Sequence, residues 1–350
     1  MNDHAASGGD LLARLADGPV VCAEGYLFEF ERRGYLQAGA FVPEIVLDRP
    51  DLVRVLHEEF VHAGSDVVLA FTYYGHREKL RLVGKEDLLE HLNRDAVTLA
   101  VEVARETGTL AAGDLCNTNA YAPDEASRSA VREMFEEQVQ WIAQAGVDFV
   151  VAETFSYAAE ALIALEAIKS AGLTAVVTLA IHQAEATRDG WSPEDACRRL
   201  ADAGADVVGL NCIRGPATML PLVARIRDAV DTHVAALPVP YRTTPAQPSF
   251  QSLRDPECDC LPGDRPFPIA LDPFTCNRFE LGAFARSARE LRINYLGVCC
   301  GAGAHHIRSV AEALGRTPPA SRFSPDMSKH AFLGTDSLLK DHNRAYAGDL

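Results

Sequence analysis

The chain has 350 residues, 48% of them apolar, enough to bury a large core, so disorder as the dominant state is excluded. Lys and Arg number 33 against 49 Asp and Glu, a formal charge of −16, which excludes a broad electrostatic grip on a nucleic-acid backbone or an anionic membrane surface. The partners to expect are small molecules and further copies of the chain, as a homo-oligomer.

Eight short apolar runs alternate with segments of helical period from about residue 20 to residue 315. The run 20–26 is followed by an amphipathic segment at 51–63, 67–74 by 86–107, 109–116 by 127–145, and 149–155 by 157–171. The second half repeats the pattern: 174–181 with 193–203, 207–212 with 217–229, 233–240 with 277–291, and 293–300 with 304–314. Gly64, Gly146, Gly172 and Gly204 each follow an Ala at the end of a helical segment, where glycine accepts the left-handed cap. A strand buried on both faces and preceded by a capped helix is the unit of a parallel sheet. Eight such units predict a (β/α)8 barrel over 11–316, consistent with the usual length of about 250 residues. An open doubly wound sheet is the alternative, but no G-x-G-x-x-G follows the first strand.

The stretch 242–275 breaks the rhythm, being rich in Pro, Asp and Cys, and on a barrel it reads as a lid over the catalytic face. The tail 317–350 reads as an arm or interface segment. No run of about 18 uncharged apolar residues occurs, and the first residues lack a basic start and an apolar stretch with a cleavage site. The expectation is a cytoplasmic chain with no membrane association.

Nine cysteines, at 22, 116, 197, 212, 258, 260, 276, 299 and 300, form an odd set that a full disulfide framework explains poorly. A single buried Cys packs as a small hydrophobe, and Cys22, Cys116 and Cys197 are read that way. Active sites of such barrels lie at the carboxyl ends of the strands. There the sixth run ends at Cys212 and the eighth at Cys299-Cys300-Gly301. Three thiolates from two strands are the ligand set of a zinc site with one position open, the catalytic type. Adjacent strand residues point to opposite faces, so both members of the pair reach one metal only where the strand has ended, and Gly301 supplies the turn.

The segments GLNC (209–212), GVCCGAGAHHIRSVAEAL (297–314), VAETF (151–155), FTYYGHREKL (71–80) and FERRGYLQAGAFVPE (30–44) resemble the homocysteine S-methyltransferase family, in its betaine-dependent branch, over about residues 11–320. The resemblance implies a (β/α)8 barrel whose zinc is held by Cys212, Cys299 and Cys300 and opens its remaining position to the homocysteine sulfur. It also implies that Glu153 helps hold the amino acid acceptor, that Tyr74 and Phe41 line the donor pocket, and that Asn211 supports the metal end of the sixth strand. Gly25 and Thr72 complete the expected substrate-contacting set with Glu24. The family usually has Asp-Gly-Gly at the end of the first strand where this chain has Ala23-Glu24-Gly25, so the carboxylate is displaced by one position. Its betaine-dependent members often extend further at the C-terminus, with a helical arm that joins subunits.

The chemistry agrees with these residue types. A free thiol with a pKa of about 8.5 is mostly protonated at neutral pH, and zinc deprotonates it. A quaternary ammonium donor offers no hydrogen bond at nitrogen, so aromatic faces suit it, and Tyr26, Phe41, Tyr73, Tyr74 and Phe155 are the candidates.

Other motifs are set aside. His57 and His62 are five apart, about 140° around a helix, not the H-E-x-x-H of a metalloprotease, and are read as surface. His305 and His306 are read as packing at a helix start, and Cys258 and Cys260 as free thiols. The sequence thus predicts a zinc-dependent S-methyltransferase that moves a methyl group from a quaternary ammonium donor, glycine betaine favoured, to homocysteine, giving methionine. The alternative donor is a sulfonium such as S-methylmethionine or a dimethylsulfonio compound. A different class, a non-catalytic barrel whose cysteines sense zinc or redox state, has no use for Glu153 or the aromatic residues.

Overall fold

In the computed structural model, which describes residues 10–257, 259 and 264–349, eight parallel strands lie side by side in chain order and close on themselves. They are β1 (Val20–Ala23), β2 (Val67–Leu69), β3 (Leu110–Cys116), β4 (Phe149–Phe155), β5 (Ala175–Leu179), β6 (Val207–Asn211), β7 (His233–Leu237) and β8 (Tyr295–Val298). Closure is by β8 against β1, with Ala23 opposite Val298. The eight barrel helices are α1 (Pro50–Ala63), α2 (Leu89–Thr107), α3 (Glu125–Ala145), α4 (Ala158–Ser170), α5 (Pro193–Asp202), α6 (Pro216–Ala229), α7 (Arg278–Glu290) and α8 (Ala304–Ala313).

Local sequence accounts for these boundaries. Asp124 and Ser192 accept the first free backbone N–H groups of α3 and α5, and Asn277 and Glu280 form a reciprocal cap on α7. Strands other than β7 are buried at every position, which both-face coverage by helices requires. Arg316, just past α8, donates to the Asp66 carboxylate and the Pro19 carbonyl, tying the last helix back to the start of β1 and β2. Residues 317–349 then form short turns and one helix, Asp341–Tyr346, with Phe323, Leu333 and Leu338 exposed. No helix among the described residues is long and apolar enough to cross a membrane.

Most strands are shorter than their apolar runs, and in β1 and β2 the cause is a turn of the backbone. β1 stops at Ala23, and Tyr26 opens a helix, Tyr26–Arg32, because the backbone turns at Glu24-Gly25. β2 stops at Leu69, since Thr72 N–H bonds the Ala70 carbonyl and Gly75 N–H bonds that of Thr72. Cys258 and Cys260 lie outside the described residues. Cys22, Cys116 and Cys197 are buried, with burial pushing their thiols well above the ordinary range.

His57 is not a surface residue. It is 1% exposed and its Nδ1 lies 3.0 Å from the Tyr26 hydroxyl, whereas His62 is exposed. Burial holds His57 down to about 3, against about 6.5 in an unfolded chain. Between those values the unfolded chain takes up a proton that the folded chain refuses, so this contribution is present above pH 6.5 and lost as pH falls. At pH 5 the loss is about 2 kcal/mol. The buried carboxylates described below titrate with the opposite sign, so the test is differential. Relative to the native chain, His57→Gln is expected to gain about 2 kcal/mol of stability between pH 7 and pH 5, read from melts at both values. A parallel pair of pH profiles refutes this.

Candidate active site

The cysteines expected at the strand ends meet. Cys212 follows β6 with φ 55°, a left-handed conformation costly for a side-chain-bearing residue, and Ile213 repeats it at φ 59°. Cys212 N–H bonds the Leu237 carbonyl and Cys299 N–H that of Pro238, so β7 fixes both flanking turns. The sulfurs of Cys212, Cys299 and Cys300 lie within 4.8 Å of one another, with 3.9 Å between Cys299 and Cys300, and all three residues are buried. Four ligands at about 2.3 Å around a tetrahedral ion stand about 3.8 Å apart, so the three sulfurs fit one such ion with a fourth position open. As thiols they share charge unequally. Hydrogen bonds from Cys299 and Cys300 pull the Cys212 thiol well below its usual range. Burial pushes the Cys299 thiol up, and the hydrogen bond to Cys212 does the same to Cys300.

The turn after Cys300 requires glycine. Gly301 has φ 93°, and a Cβ there would stand 2.2 Å from the Tyr241 hydroxyl. Arg32 donates to the Gly301 carbonyl at 3.1 Å and to the Tyr241 hydroxyl at 2.8 Å, clamping this turn from the first βα loop. Neither Arg32 nor Tyr241 was singled out from sequence. Gly25 packs against the same turn, where an added Cβ would lie 2.3 Å from the Ala302 carbonyl oxygen. Its part is close approach of backbone, not contact through a side chain.

On one side of the cysteines is a tight cavity of about 10 Å³, lined by Glu24, Asp114, Glu153, Tyr26, Leu27, Phe71, Tyr73, Cys299 and Cys300. The carboxylates are 6%, 1% and 3% exposed. Asn211 organises them. Its Oδ1 accepts from Thr154 N–H and the Thr178 hydroxyl, both at 2.9 Å, which turns Nδ2 toward Glu153 Oε2, Glu24 Oε2 at 3.3 Å and Cys299 Sγ at 3.8 Å. The Thr154 hydroxyl adds a bond to Glu153 at 2.9 Å. Burial pushes the Glu24 carboxyl up to about 8 against the opposing Asn211 hydrogen bond. Burial, then the neighbouring acids, raises Asp114 and Glu153. Thr72 lines neither cavity, because its hydroxyl is spent on the Asp114 carbonyl at 2.7 Å.

On the other side, a cavity of about 170 Å³ is walled by Phe28, Phe41, Tyr73, Tyr74, Phe250 and Phe267, with Cys212 and Cys300 also in its lining. Phe28 and Phe41 stack at 5.9 Å, and Phe250 meets Phe267 edge-on at 4.8 Å. Tyr74 sits at φ 61°, its N–H held by Cys116 Sγ at 3.1 Å, so that thiol helps aim the ring. Phe250, Gln251 and Phe267 come from the aperiodic stretch 242–275. Tyr26 and Phe155 are absent from this wall. Tyr26 packs on His57, Phe60 and Phe71, and Phe155 on Phe135. A larger open groove on the outer surface, between His62 and His305, lacks such convergence of buried polar groups, so the barrel mouth is the candidate site.

The homocysteine S-methyltransferase family model matches residues 25–314. Betaine-homocysteine S-methyltransferase 1 of Danio rerio is 37% identical over 346 residues, spanning 96% of this chain and 82% of that protein. S-methylmethionine-homocysteine S-methyltransferase BHMT2 of Mus musculus is 34% identical over 320 residues, 89% of this chain and 84% of that one. Among solved structures, the metallated homocysteine methyltransferase MmuM of Escherichia coli superposes with a TM-score of 0.66 at 18% identity, covering 85% of this chain and 97% of that chain. Its apo form gives 0.62 at 16% identity, covering 87% and 99%. By the extent of these matches, the chain belongs to the homocysteine S-methyltransferase family and is an enzyme of that class.

Proposed function

We propose that the chain is a zinc-dependent S-methyltransferase that carries a methyl group from a quaternary ammonium donor, glycine betaine favoured, to the thiolate of homocysteine, releasing methionine. The observation that carries this reading is the position of the cysteines between two cavities of opposite character. Cys299 and Cys300 face the acidic one, and Cys212 and Cys300 the aromatic one. A zinc ion held by the three sulfurs would supply the charge that keeps the acceptor thiol ionised at neutral pH, where a free thiol is mostly protonated.

The chain's own residues do the rest. Glu153 and Glu24 bind the α-ammonium of the acceptor, and Asn211 holds Glu153 in place. The rings of Phe41, Tyr74 and their neighbours hold the methylated cation by their faces, since it has no N–H to donate. Holding sulfur, methyl carbon and leaving nitrogen in line supplies much of the rate through orientation. A dimethylsulfonio donor is accommodated by the same rings. S-methylmethionine suits them less, because no acid among the described residues lines this cavity to take its ammonium. Free buried thiols accord with a reducing, cytoplasmic compartment. The exposed apolar residues of 317–349 accord with self-association.

The experiment is a donor panel with homocysteine on zinc-replete protein, read as methionine formed. The reading expects turnover with glycine betaine, at least tenfold faster than with S-methylmethionine. No methionine from any onium donor refutes it.

A further inference from the structure

One carboxylate in the acidic cavity has no part in the function proposed above. Asp114 lies within β3, in the segment LAAGDLC, and is 1% exposed. In the β3–β4 register Cys116 stands opposite Glu153 and Asp114 opposite Val151, so Asp114 sits a step below the rim. Its backbone is pinned there by the Thr72 hydroxyl. Its Oδ1 has no hydrogen-bond partner among the described residues, and neither has Oε1 of Glu24 across the same cavity.

A buried, unpartnered carboxylate oxygen is a liability of several kcal/mol that a core selected only for stability does not carry. The Asn211 amide is spread over Glu153 and Glu24, the Thr154 hydroxyl serves Glu153, and no Lys or Arg among the described residues lines the space. What the two orphaned oxygens and Glu153 lack is a cation with several N–H donors directed outward. A primary ammonium has three. A quaternary ammonium or sulfonium has none and would leave every carboxylate unpaired, so the acidic cavity rejects the donor and the aromatic cavity receives it.

We propose that Asp114 is a third binding group for the acceptor's α-ammonium, and that Glu24, Asp114 and Glu153 together restrict the acceptor to thiols bearing a primary amine. This rests on the homocysteine reading above. It adds a specificity-determining residue from inside β3 and explains how one site distinguishes two cationic substrates.

The test is equilibrium binding of homocysteine and of 4-mercaptobutyrate, the same thiol acid without its amine, to zinc-replete protein without methyl donor. The native chain is expected to prefer homocysteine about 100-fold or more. Asp114→Asn keeps the shape and replaces an acid that burial already disfavours as an ion, so it is expected to fold, and Asp114→Ser is a second variant of smaller volume. Both are expected to weaken homocysteine about 10- to 100-fold while leaving 4-mercaptobutyrate unchanged, so that the preference collapses. Equal weakening of both ligands would reduce Asp114 to a structural residue and overturn the proposal, as would unchanged binding of both. Tight binding of Mg²⁺ or Mn²⁺ that disappears in the variants, with homocysteine unaffected, overturns it in favour of a second cation site. A native chain that binds neither thiol fails the homocysteine reading itself, an outcome separate from these.

Discussion

Cys299→Ala is expected to abolish methyl transfer and strip the chain of zinc while the barrel stays folded. Without the metal charge, a homocysteine thiol of pKa about 8.5 is only about 3% ionised at pH 7, a loss of about 30-fold. The acceptor sulfur also loses its fixed position before the donor methyl, and misplacement on the ångström scale costs about 100-fold more. Together these place activity at least about 10³-fold below native. Cys299 is 2% exposed but follows β8 instead of filling its core, and its backbone bonds to Pro238 and Ala302 do not involve the sulfur. A melting temperature within a few degrees of native is therefore expected. Zinc content, methionine formation and a melt on one preparation decide the matter. Native zinc content in a Cys299→Ala, Cys300→Ala double variant would falsify the assignment.

The sulfurs could be read from sequence because two independent signals converged on them. Each thiol ends an apolar run, and the runs belong to a repeating unit whose carboxyl ends share one face. Asp114 carried no such signal. In a parallel strand covered on both faces, residues pointing into the barrel and out to the helices are equally apolar, so one acid in LAAGDLC does not reveal which way it points. Arg32 was hidden by distance, since the Gly301 carbonyl it clamps is 269 residues away. Phe250 and Phe267 were hidden by the absence of period in 242–275. His57 was legible and misread. It shares the buried face of α1 with Val53, Leu56 and Phe60, at i, i+3, i+4 and i+7, the spacing of an apolar stripe. Phe155 fell to the same ambiguity as Asp114, because an aromatic residue near a strand end serves the core as readily as the mouth, and Tyr26 does both, packing on Phe60 while lining the acidic cavity.

Glu24, the carboxylate displaced by one position from the family's usual Asp, can serve either as a substrate contact or as a partner in the barrel wall. Its carboxylate faces Asn211, Cys299 and the acidic cavity, with no Lys or Arg among the described residues lining that space. A wall role needs such a counter-charge, and its absence favours the substrate role proposed above. Glu24→Ala is expected to raise KM for homocysteine about 10- to 100-fold, the scale of a lost charge-assisted hydrogen bond of about 1.5–3 kcal/mol. The same change is expected to leave the melting temperature unchanged or raise it, because an incompletely partnered carboxylate is costly to bury. Adding Ala23→Asp to that variant is expected to restore little. Ala23 is completely buried within β1, so an acid there places a charge in the core instead of extending into the cavity. Loss of affinity with stability retained is the signature of a group kept for the substrate, and a melt that falls with kinetics intact removes Glu24 from the site.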